Sequence, residues 1–215
     1  MITTTDNQTR NSYTSILKNS SKYELSQMAN AGASWFRDQI AEIRKNRFNK
    51  YNFIKNAKQD TVRRLEIGKL YFFEYVPKYS GIGTEIPDSQ LLPVFDRYPL
   101  VLPFSIVPNG FVGINLHYLP IKYRAILLDK LSETAIIPQN RLKVNWAILQ
   151  QFARLRISEY AVHRYLLNHI TSTFRLVRLP DYANAIMLPI SGWYGTDRNL
   201  VNRFRGYNNS GLGGF

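Results

Sequence analysis

A β-hairpin is predicted at the centre of the chain, at Leu100–Leu119, by the sequence LVLPFSIVPNGFVGINLHYL. Leu100–Val107 is rich in the β-branched and aromatic residues that strands favour. Pro108-Asn109-Gly110 indicates a turn, and Phe111–Leu119 returns as the partner strand. Prolines inside the first strand require edges or bulges. The stretch therefore predicts a small, strongly bent antiparallel sheet.

Glycines in the hairpin indicate positions where a side chain is not tolerated. Gly110 and Gly113 flank Phe111. We expect a positive φ at the turn glycine and close backbone approach along the strand.

Further strand and loop signals lie upstream of the hairpin. Ile67–Val76, with the sequence IGKLYFFEYV, predicts another strand. Pro77–Gln90 contains two glycines and a second proline, which is typical of a loop.

Helical patterns lie on both sides of this centre. Upstream, Ala33, Phe36, Ile40 and Ile43 fall at helical spacing, with Ser34 as a candidate cap. Downstream, three helices are predicted and are followed by a hairpin across Pro180-Asp181-Tyr182. The helices are Lys122–Leu131, Leu142–Arg156 and Ser158–Ile170, and the hairpin joins Phe174–Leu179 to Ala185–Ile190.

The two ends of the chain are predicted to be extended arms. Met1–Asn30 is rich in Ser, Thr and Asn with weak periodicity, which predicts an extended arm with at most one short helix near Tyr23–Met28. Ser191–Phe215 is rich in Gly, Asn and Arg and predicts an extended tail. We therefore divide the chain into a polar N-terminal arm at 1–32, a basic helical segment at 33–66, a central body at 67–190 and a C-terminal tail at 191–215.

The predicted fold class is α+β. It consists of a small, strongly bent antiparallel sheet flanked by helices, with extended N- and C-terminal arms. One form of such a sheet is an SH3-like partial barrel.

Composition excludes several classes of protein. A hydrophobic content of 45% in 215 residues is enough for a core, which argues against wholesale disorder. The absence of cysteine excludes disulfides and thiolate catalysis. No apolar run approaches the roughly 18–20 residues of a membrane span, and the polar start argues against a secretory signal. We expect a soluble chain that is made in the cytoplasm and has no membrane contact.

Catalytic and metal motifs are not found in the sequence. No phosphate-binding loop, nucleophile elbow or paired-acid motif occurs. His163 and His169 lie six residues apart on a predicted helix, whereas a helical metal pair needs a spacing of four. We therefore predict no enzyme activity, no catalytic residue, no metal site, no cofactor and no small-molecule substrate. For His117 we expect a structural role, and for Asp96 either a pair with Arg97 or a hydrogen bond that caps a turn.

The charge of the chain is strongly basic and unevenly distributed. The net charge is +13, and Arg37–Lys69 contributes +6 of it from ten basic and four acidic residues, whereas Leu70–Asn140 is nearly neutral. Nucleic acid is the default partner of such a surface, and an acidic protein surface is the alternative.

The basic segment interleaves cations with aromatic side chains. Cations contact phosphates, and aromatic rings stack on bases or pack beneath the basic side chains. A solvated helix face whose aromatic residues dock on the body is an equally weighted interpretation. A second basic group includes Arg141, Lys143, Arg154, Arg156 and Arg164. The candidate nucleic-acid-binding residues are Arg44, Lys45, Arg47, Phe48, Lys50, Tyr51, Lys55, Lys58, Arg63 and Arg64.

The central segment also resembles a known family. IGKLYFFEYVPK, LPVFDRYPLVLPF and GFVGINLHYLPIKYRAILLDKL are similar to segments of virion proteins from T-even-like contractile-tailed phages, a family known as DNA end protectors. The resemblance runs from about Ser34 to Ile190. An insertion at Ser80–Gln90 and the Gly/Asn-rich tail depart from the family pattern. The matching positions are Ser34, Trp35, Phe36, Arg37, Gly68, Tyr71, Phe73, Tyr75, Pro77, Lys78, Leu92, Pro93, Asp96, Pro99, Leu100, Gly110, Phe111, Gly113, Asn115, His117, Tyr118, Leu119 and Pro120.

Two functional hypotheses follow from the residues and the resemblance together. The first is a non-catalytic virion protein that binds double-stranded DNA and protects genome ends. The second is a neck, tail or baseplate assembly protein whose basic flanks and arms bind other virion proteins without DNA contact. Both imply localisation in the virion, and in the host cytoplasm during assembly.

Overall fold

The computed structural model describes residues 12–47, 61–62, 65–83, 85–136, 161–187 and 192–202. These residues form an α+β fold, as predicted. The helices are α1 (Tyr13–Asn19), α2 (Lys22–Arg47), α3 (Ile121–Ile136) and α4 (Tyr182–Ile186), and residues 198–202 are also helical. The strands are β1 (Thr61–Val62), β2 (Leu70–Phe72), β3 (Phe95–Asp96), β4 (Leu100–Val107), β5 (Gly110–Asn115), β6 (Val162–Leu166), β7 (Phe174–Val177) and β8 (Trp193–Tyr194).

The main sheet is antiparallel in every strand pair that the structure describes. Its strand order is β1-β7-β2-β4-β5-β6, and β3 pairs separately with β8. The two-residue β1 is an edge strand beside five longer strands.

The predicted hairpin is confirmed at β4 and β5. Val107 pairs with Gly110 across Pro108-Asn109, and the register shifts between Pro103 and Ser105. The proline thus coincides with a bulge, as its missing N–H requires. The positive φ of 58° belongs to Asn109, so the expectation of a positive φ at Gly110 is wrong. The predicted second strand ends earlier than expected, because Leu116–Tyr118 forms a 3₁₀ turn.

Strand β2 divides the core into two layers. Leu70 and Phe72 belong to a cluster with residues of α2, α3 and α4, whereas Tyr71 and Phe73 belong to a second cluster on the opposite face. All four are fully buried. Because successive side chains of a strand point to opposite faces, this run of apolar residues requires cover on both sides.

The sheet is bent at its β6 side. Tyr75, beyond β2, forms a β-bridge with Ile170, beyond β6. The backbone N–H of Val76 also donates to the carbonyl of His169 at 2.9 Å. The edge of the sheet therefore curls back towards its middle. An SH3-like partial barrel stays a prediction, and this bridge is the observation that supports it.

The prediction that Met1–Asn30 is an extended arm with at most one short helix near Tyr23–Met28 is wrong for the described residues 12–30. They form α1 and the first part of α2, which begins at Lys22 and not at Ser34. Leu17 and Leu25 are buried and supply the packing that weak periodicity did not reveal. The predicted stripe of α2 is confirmed at Phe36 and Ile43, which are both fully buried.

Helix α1 is fastened to α3 by one carboxylate. Asp129 accepts hydrogen bonds from the backbone N–H groups of Tyr13 at 2.6 Å and Thr14 at 3.1 Å, and from the Thr14 hydroxyl at 2.6 Å. An acid at this position satisfies free N–H groups and complements the helix dipole.

The helix predicted at Ser158–Ile170 is wrong within 161–170. Val162–Leu166 is strand β6 and pairs with β5. Val162, Leu166 and Ile170 are four residues apart, a spacing that shares a face in a strand as well as in a helix, so periodicity alone could not decide. The helix predicted at Lys122–Leu131 is confirmed and extends to Ile136. The one predicted at Leu142–Arg156 lies outside the described residues.

The C-terminal predictions also need correction. Phe174–Val177 is a strand, but Tyr182–Ile186 is helical, so the hairpin predicted across Pro180 is wrong. The extended tail is wrong over 192–202, because Trp193 is fully buried and β8 pairs with β3.

Replacing Asp129 by alanine should release α1 from α3. We expect a loss of about 1–2 kcal/mol in the free energy of unfolding, as for other lost helix caps, and faster protease cleavage near α1. Glu133→Ala is the control, since Glu133 is exposed, lies one turn further along α3 and forms an ion pair with Lys130 at 3.0 Å. Equal cleavage of the Asp129→Ala variant and the wild type would contradict this role of Asp129.

Replacing Gly110 by alanine should strain the pairing of β5 with β6. A Cβ atom at Gly110 would lie 2.2 Å from the carbonyl oxygen of Tyr165. We expect a loss of about 1–3 kcal/mol, the usual cost of overpacking, measured by urea unfolding. Asn109→Gly is the control and should change stability little, because glycine adopts a positive φ readily. An unchanged urea midpoint for Gly110→Ala would show that this contact relaxes freely.

Candidate nucleic-acid interface

Within the predicted basic segment at 33–66, the structure describes residues 33–47, 61–62 and 65–66, and the described candidate residues lie at the C-terminal end of α2. Arg44, Lys45 and Arg47 lie in the last turns of this helix. The side chain of Arg44 is described and exposed, and nothing is described of the side chains of the other two. The remaining candidates lie outside the described residues: Phe48, Lys50, Tyr51, Lys55, Lys58, Arg63 and Arg64.

Arg44 is held against the body by Tyr98. Its Nε donates to the Tyr98 hydroxyl at 3.1 Å, and its guanidinium lies 5.6 Å from the centre of the Tyr98 ring. The hydrogen bond to Tyr98 raises the pKa of Arg44, against a smaller opposing effect of burial. Arg44 therefore keeps its charge while it fixes the end of α2 on the body.

Tyr98 in turn contacts a fully buried carboxylate. Glu74 Oε1 accepts from Arg97 Nε at 2.9 Å and lies 3.4 Å from the Tyr98 hydroxyl. Its other oxygen accepts from the Thr171 hydroxyl at 2.8 Å. These hydrogen bonds offset the cost of burying the charge. The end of α2 is thereby connected to the centre of the fold through Arg44, Tyr98 and Glu74.

A second buried carboxylate joins β3 to β5. Asp96 Oδ2 contacts His117 Nδ1 at 2.6 Å and accepts from Asn115 Nδ2 at 2.9 Å, and Oδ1 accepts from the Tyr98 N–H at 3.1 Å. The turn-capping alternative for Asp96 is confirmed by the last bond. The alternative pair with Arg97 is wrong, because Arg97 binds Glu74 at 2.8 Å. The structural role expected for His117 is confirmed by its contact with Asp96.

A cavity of about 280 Å³ opens beside this carboxylate, between the segment after β2 and strands β5 and β6. Its lining includes Asp96 and Asn115, with Tyr75, Tyr118 and Tyr165. Burial raises the pKa of Tyr118 and of Tyr165, and in each case the charge of Asp96 adds to the effect. Both phenols are therefore protonated at neutral pH and present O–H groups.

One arginine is entirely internal. Arg124 is fully buried, and its Nε donates to the carbonyls of Leu116 at 2.7 Å and Leu119 at 2.8 Å. Its terminal nitrogens donate to the carbonyls of Ile186 and His117, both at 3.2 Å. Burial lowers the pKa of Arg124. This cation stabilises the junction of α3, α4 and the 3₁₀ turn after β5, and it is inaccessible to phosphates.

The second predicted basic group is described at one residue. Arg164 is exposed on β6 and donates to the carbonyl of Pro108 at 3.2 Å. Arg141, Lys143, Arg154 and Arg156 lie outside the described residues. Because β6 pairs with β5, Arg164 belongs to the central sheet and not to a helix.

The sequence did not reveal the partners of these buried acids. Glu74 lies within an aromatic strand pattern, and a lone acid in such a run was the available signal. Its partner Thr171 is separated from it by 97 residues. Only the fold brings such groups together.

The described ranges contain neither a metal-binding cluster nor a membrane-spanning helix. No group of three or more His, Cys, Asp or Glu side chains there is arranged to hold a metal ion. None of the described helices is both long and apolar enough to span a membrane.

A comparison with known families shows which protein family the chain belongs to. A family model described as the phage T4 terminal DNA protecting protein matches residues 3–203. The chain belongs to this family. The match includes the basic segment, nearly all of the predicted N-terminal arm and the predicted tail as far as residue 203, and so extends beyond the central resemblance at both ends. Neither a search of curated proteins nor a search of solved structures returned a match.

Replacing Asp96 by alanine should destabilise the fold strongly. The change leaves Asn115, His117 and the Tyr98 N–H without their shared acceptor, and breaking a buried charged network costs about 3–5 kcal/mol. Denaturant unfolding monitored by tryptophan fluorescence measures the effect. Asp88→Ala is the control, since Asp88 is exposed. A small change for Asp96→Ala would mean that water replaces the carboxylate readily.

Proposed function

We propose that this protein is a non-catalytic structural component of a tailed-phage virion that binds the ends of the packaged DNA and shields them by occupancy. The observation that carries the proposal is the family match over residues 3–203. A protein bound at a DNA terminus protects it without chemistry, because a nuclease needs the same end.

The basic segment is the proposed DNA contact. Arg37–Lys69 carries a net charge of +6, and phosphate neutralisation by such cations supplies most of the affinity for a duplex. The first part of this segment is the end of α2, which is fixed on the body by Arg44 and Tyr98. Since fixing one end of a segment lowers the entropy cost of binding, this anchor favours ordered contact with DNA.

Phe48 and Tyr51 are proposed to act with the cations. A DNA terminus differs from the interior of a duplex in exposing the face of its last base pair. Aromatic side chains stack on exposed bases, with a free energy of about 1–3 kcal/mol per base. Lysines and arginines alone would bind any stretch of duplex, and the aromatic residues would add a preference for ends.

Localisation and partners follow from this role. The protein would be made in the host cytoplasm, and in the virion it would lie against the DNA end and against neighbouring virion proteins. Phosphate contacts carry no base information, so the proposal requires no DNA sequence preference.

Charge reversal in the basic segment should weaken DNA binding and reduce its dependence on salt. Each phosphate contact contributes about −0.9 to the log–log slope of affinity against salt, so a Lys50→Glu, Lys55→Glu, Lys58→Glu variant should flatten that slope by about 2–3. Binding is measured to two DNA molecules, a duplex with one open end and a duplex closed by hairpins at both ends. Wild type should prefer the open end and slow its digestion by an exonuclease.

The matched control reverses three exposed lysines elsewhere, Lys18, Lys22 and Lys122. It has the same net charge as the test variant and should retain the salt slope and the protection. If wild type binds DNA no better than an unrelated protein of equal charge, the proposal fails. The assembly role in a neck, tail or baseplate would then be the better explanation of the basic flanks.

A further inference from the structure

The cavity beside Asp96 has the size of a site for one ring system. Its volume is about 280 Å³, just below the roughly 300–1,000 Å³ of pockets that hold drug-sized ligands. A whole nucleotide or a folded peptide turn would exceed it, whereas a single heterocycle would fit.

The walls of the cavity are mainly aromatic. Tyr75, Phe95, Tyr118, His163 and Tyr165 all contribute to its lining. Tyr118 and His163 have ring centres 4.5 Å apart, and those of Tyr75 and Tyr165 are 5.0 Å apart. Such walls suit a flat aromatic guest, because ring faces and edges attract one another beyond the effect of area alone.

The inner end of the cavity is polar and buried. Asp96 is 5% exposed and Asn115 1% exposed, and both line the cavity. A carboxylate has about four acceptor positions, and Asp96 uses three of them for Tyr98, Asn115 and His117. One acceptor remains for a guest. Tyr118 and Tyr165 also line the cavity and carry hydroxyl groups, and that of Tyr165 already bonds to Asn115. The lining thus offers both donors and acceptors to the edge of a ring.

Two basic residues lie in the lining or directly next to it. Arg164 contributes to it and is exposed. Lys78 is exposed and directly follows Pro77, another lining residue. Cations at these positions suit a guest whose ring is attached to phosphate.

We propose that this cavity receives a single unpaired nucleobase at the terminus of a DNA strand. The proposal rests on the proposed function, because it assumes that the protein meets DNA ends. Enzymes that extrude a base from a duplex hold it in the same manner, by stacking against aromatic side chains and by hydrogen bonds to its edge. Frayed or overhanging ends supply such a base at little cost, whereas the interior of a duplex does not.

The test compares two duplexes that differ only in one base. One ends in an unpaired nucleotide, and the other ends in an abasic residue with the same phosphates. Wild type should bind the first about 5- to 150-fold more tightly, the range expected from the stacking of one base. Val94 lines the cavity, and a tryptophan in its place would occupy the space of the base. Val94→Trp should therefore abolish this difference without weakening binding to the abasic duplex.

Two further variants serve as a control outside the cavity and as a second test of its lining. Ile106→Trp introduces the same side chain at an exposed position outside the cavity and should retain the difference. Tyr118→Phe keeps the ring and removes the hydroxyl, so it should reduce the difference even if Val94→Trp fails to fold. Thermal unfolding of each variant identifies any loss of structure.

The outcomes separate this proposal from the proposed function. If wild type binds both duplexes equally, the cavity proposal is overturned and DNA binding stands. If wild type binds neither, both proposals fall. If Val94→Trp keeps the preference for the terminal base but is lost from assembled particles, the cavity holds a segment of a neighbouring protein instead of a base.

Discussion

The hydrogen bonds to Asp96 are the interaction on which the centre of the structure depends. One carboxylate joins the turn at Tyr98, the strand residue Asn115 and the imidazole of His117. These groups come from the segment before β4 and from the end of β5, so the carboxylate fixes the path of the chain on both sides of the hairpin. A charge at 5% exposure is stable only with such partners. The geometry of the neighbouring cavity therefore follows from a requirement of folding.

Glu74 is a second buried carboxylate, and its contacts connect the core to the end of α2. It is fully buried beside Tyr98, and the tyrosine hydroxyl also holds Arg44 at the end of α2. Arg175 of β7 adds a contact with Glu42 of the same helix at 3.8 Å. The helix that leads to the basic segment is thus attached to the sheet by polar contacts as well as by Phe36 and Ile43. A protein with a net charge of +13 uses some of its arginines internally, so net charge overstates the number of cations available to a polyanion.

The sequence predicted the parts of the fold that depend on neighbouring residues, and it missed those that depend on contacts between residues far apart in the chain. The hairpin at Leu100–Asn115, its bulge near Pro103 and the buried stripe of α2 depend on local residue types, and sequence patterns predicted them. Helix α1 depends on Asp129, which lies 116 residues from Tyr13, and no local pattern contains that contact. The pattern at strand β6 predicts a helix as readily as a strand, because a spacing of four fits both periods. At the candidate site, the turn role of Asp96 was foreseen as one of two alternatives, whereas the Arg44–Tyr98 contact was not, because it joins residues 54 positions apart.

The length of α2 has a geometric consequence for any bound duplex. Its 26 residues correspond to about 39 Å at 1.5 Å per residue, slightly more than the ~34–36 Å of one turn of B-DNA. Lys22 at the start of the helix and Arg44 near its end are therefore separated by almost a full DNA turn. With DNA at the proposed contact beyond its C-terminal end, the helix would act as a spacer, and the duplex would meet the α1–α2 junction only if it ran parallel to the helix. A duplex that is held only by its end and points away from α2 would leave that junction free for another component of the particle.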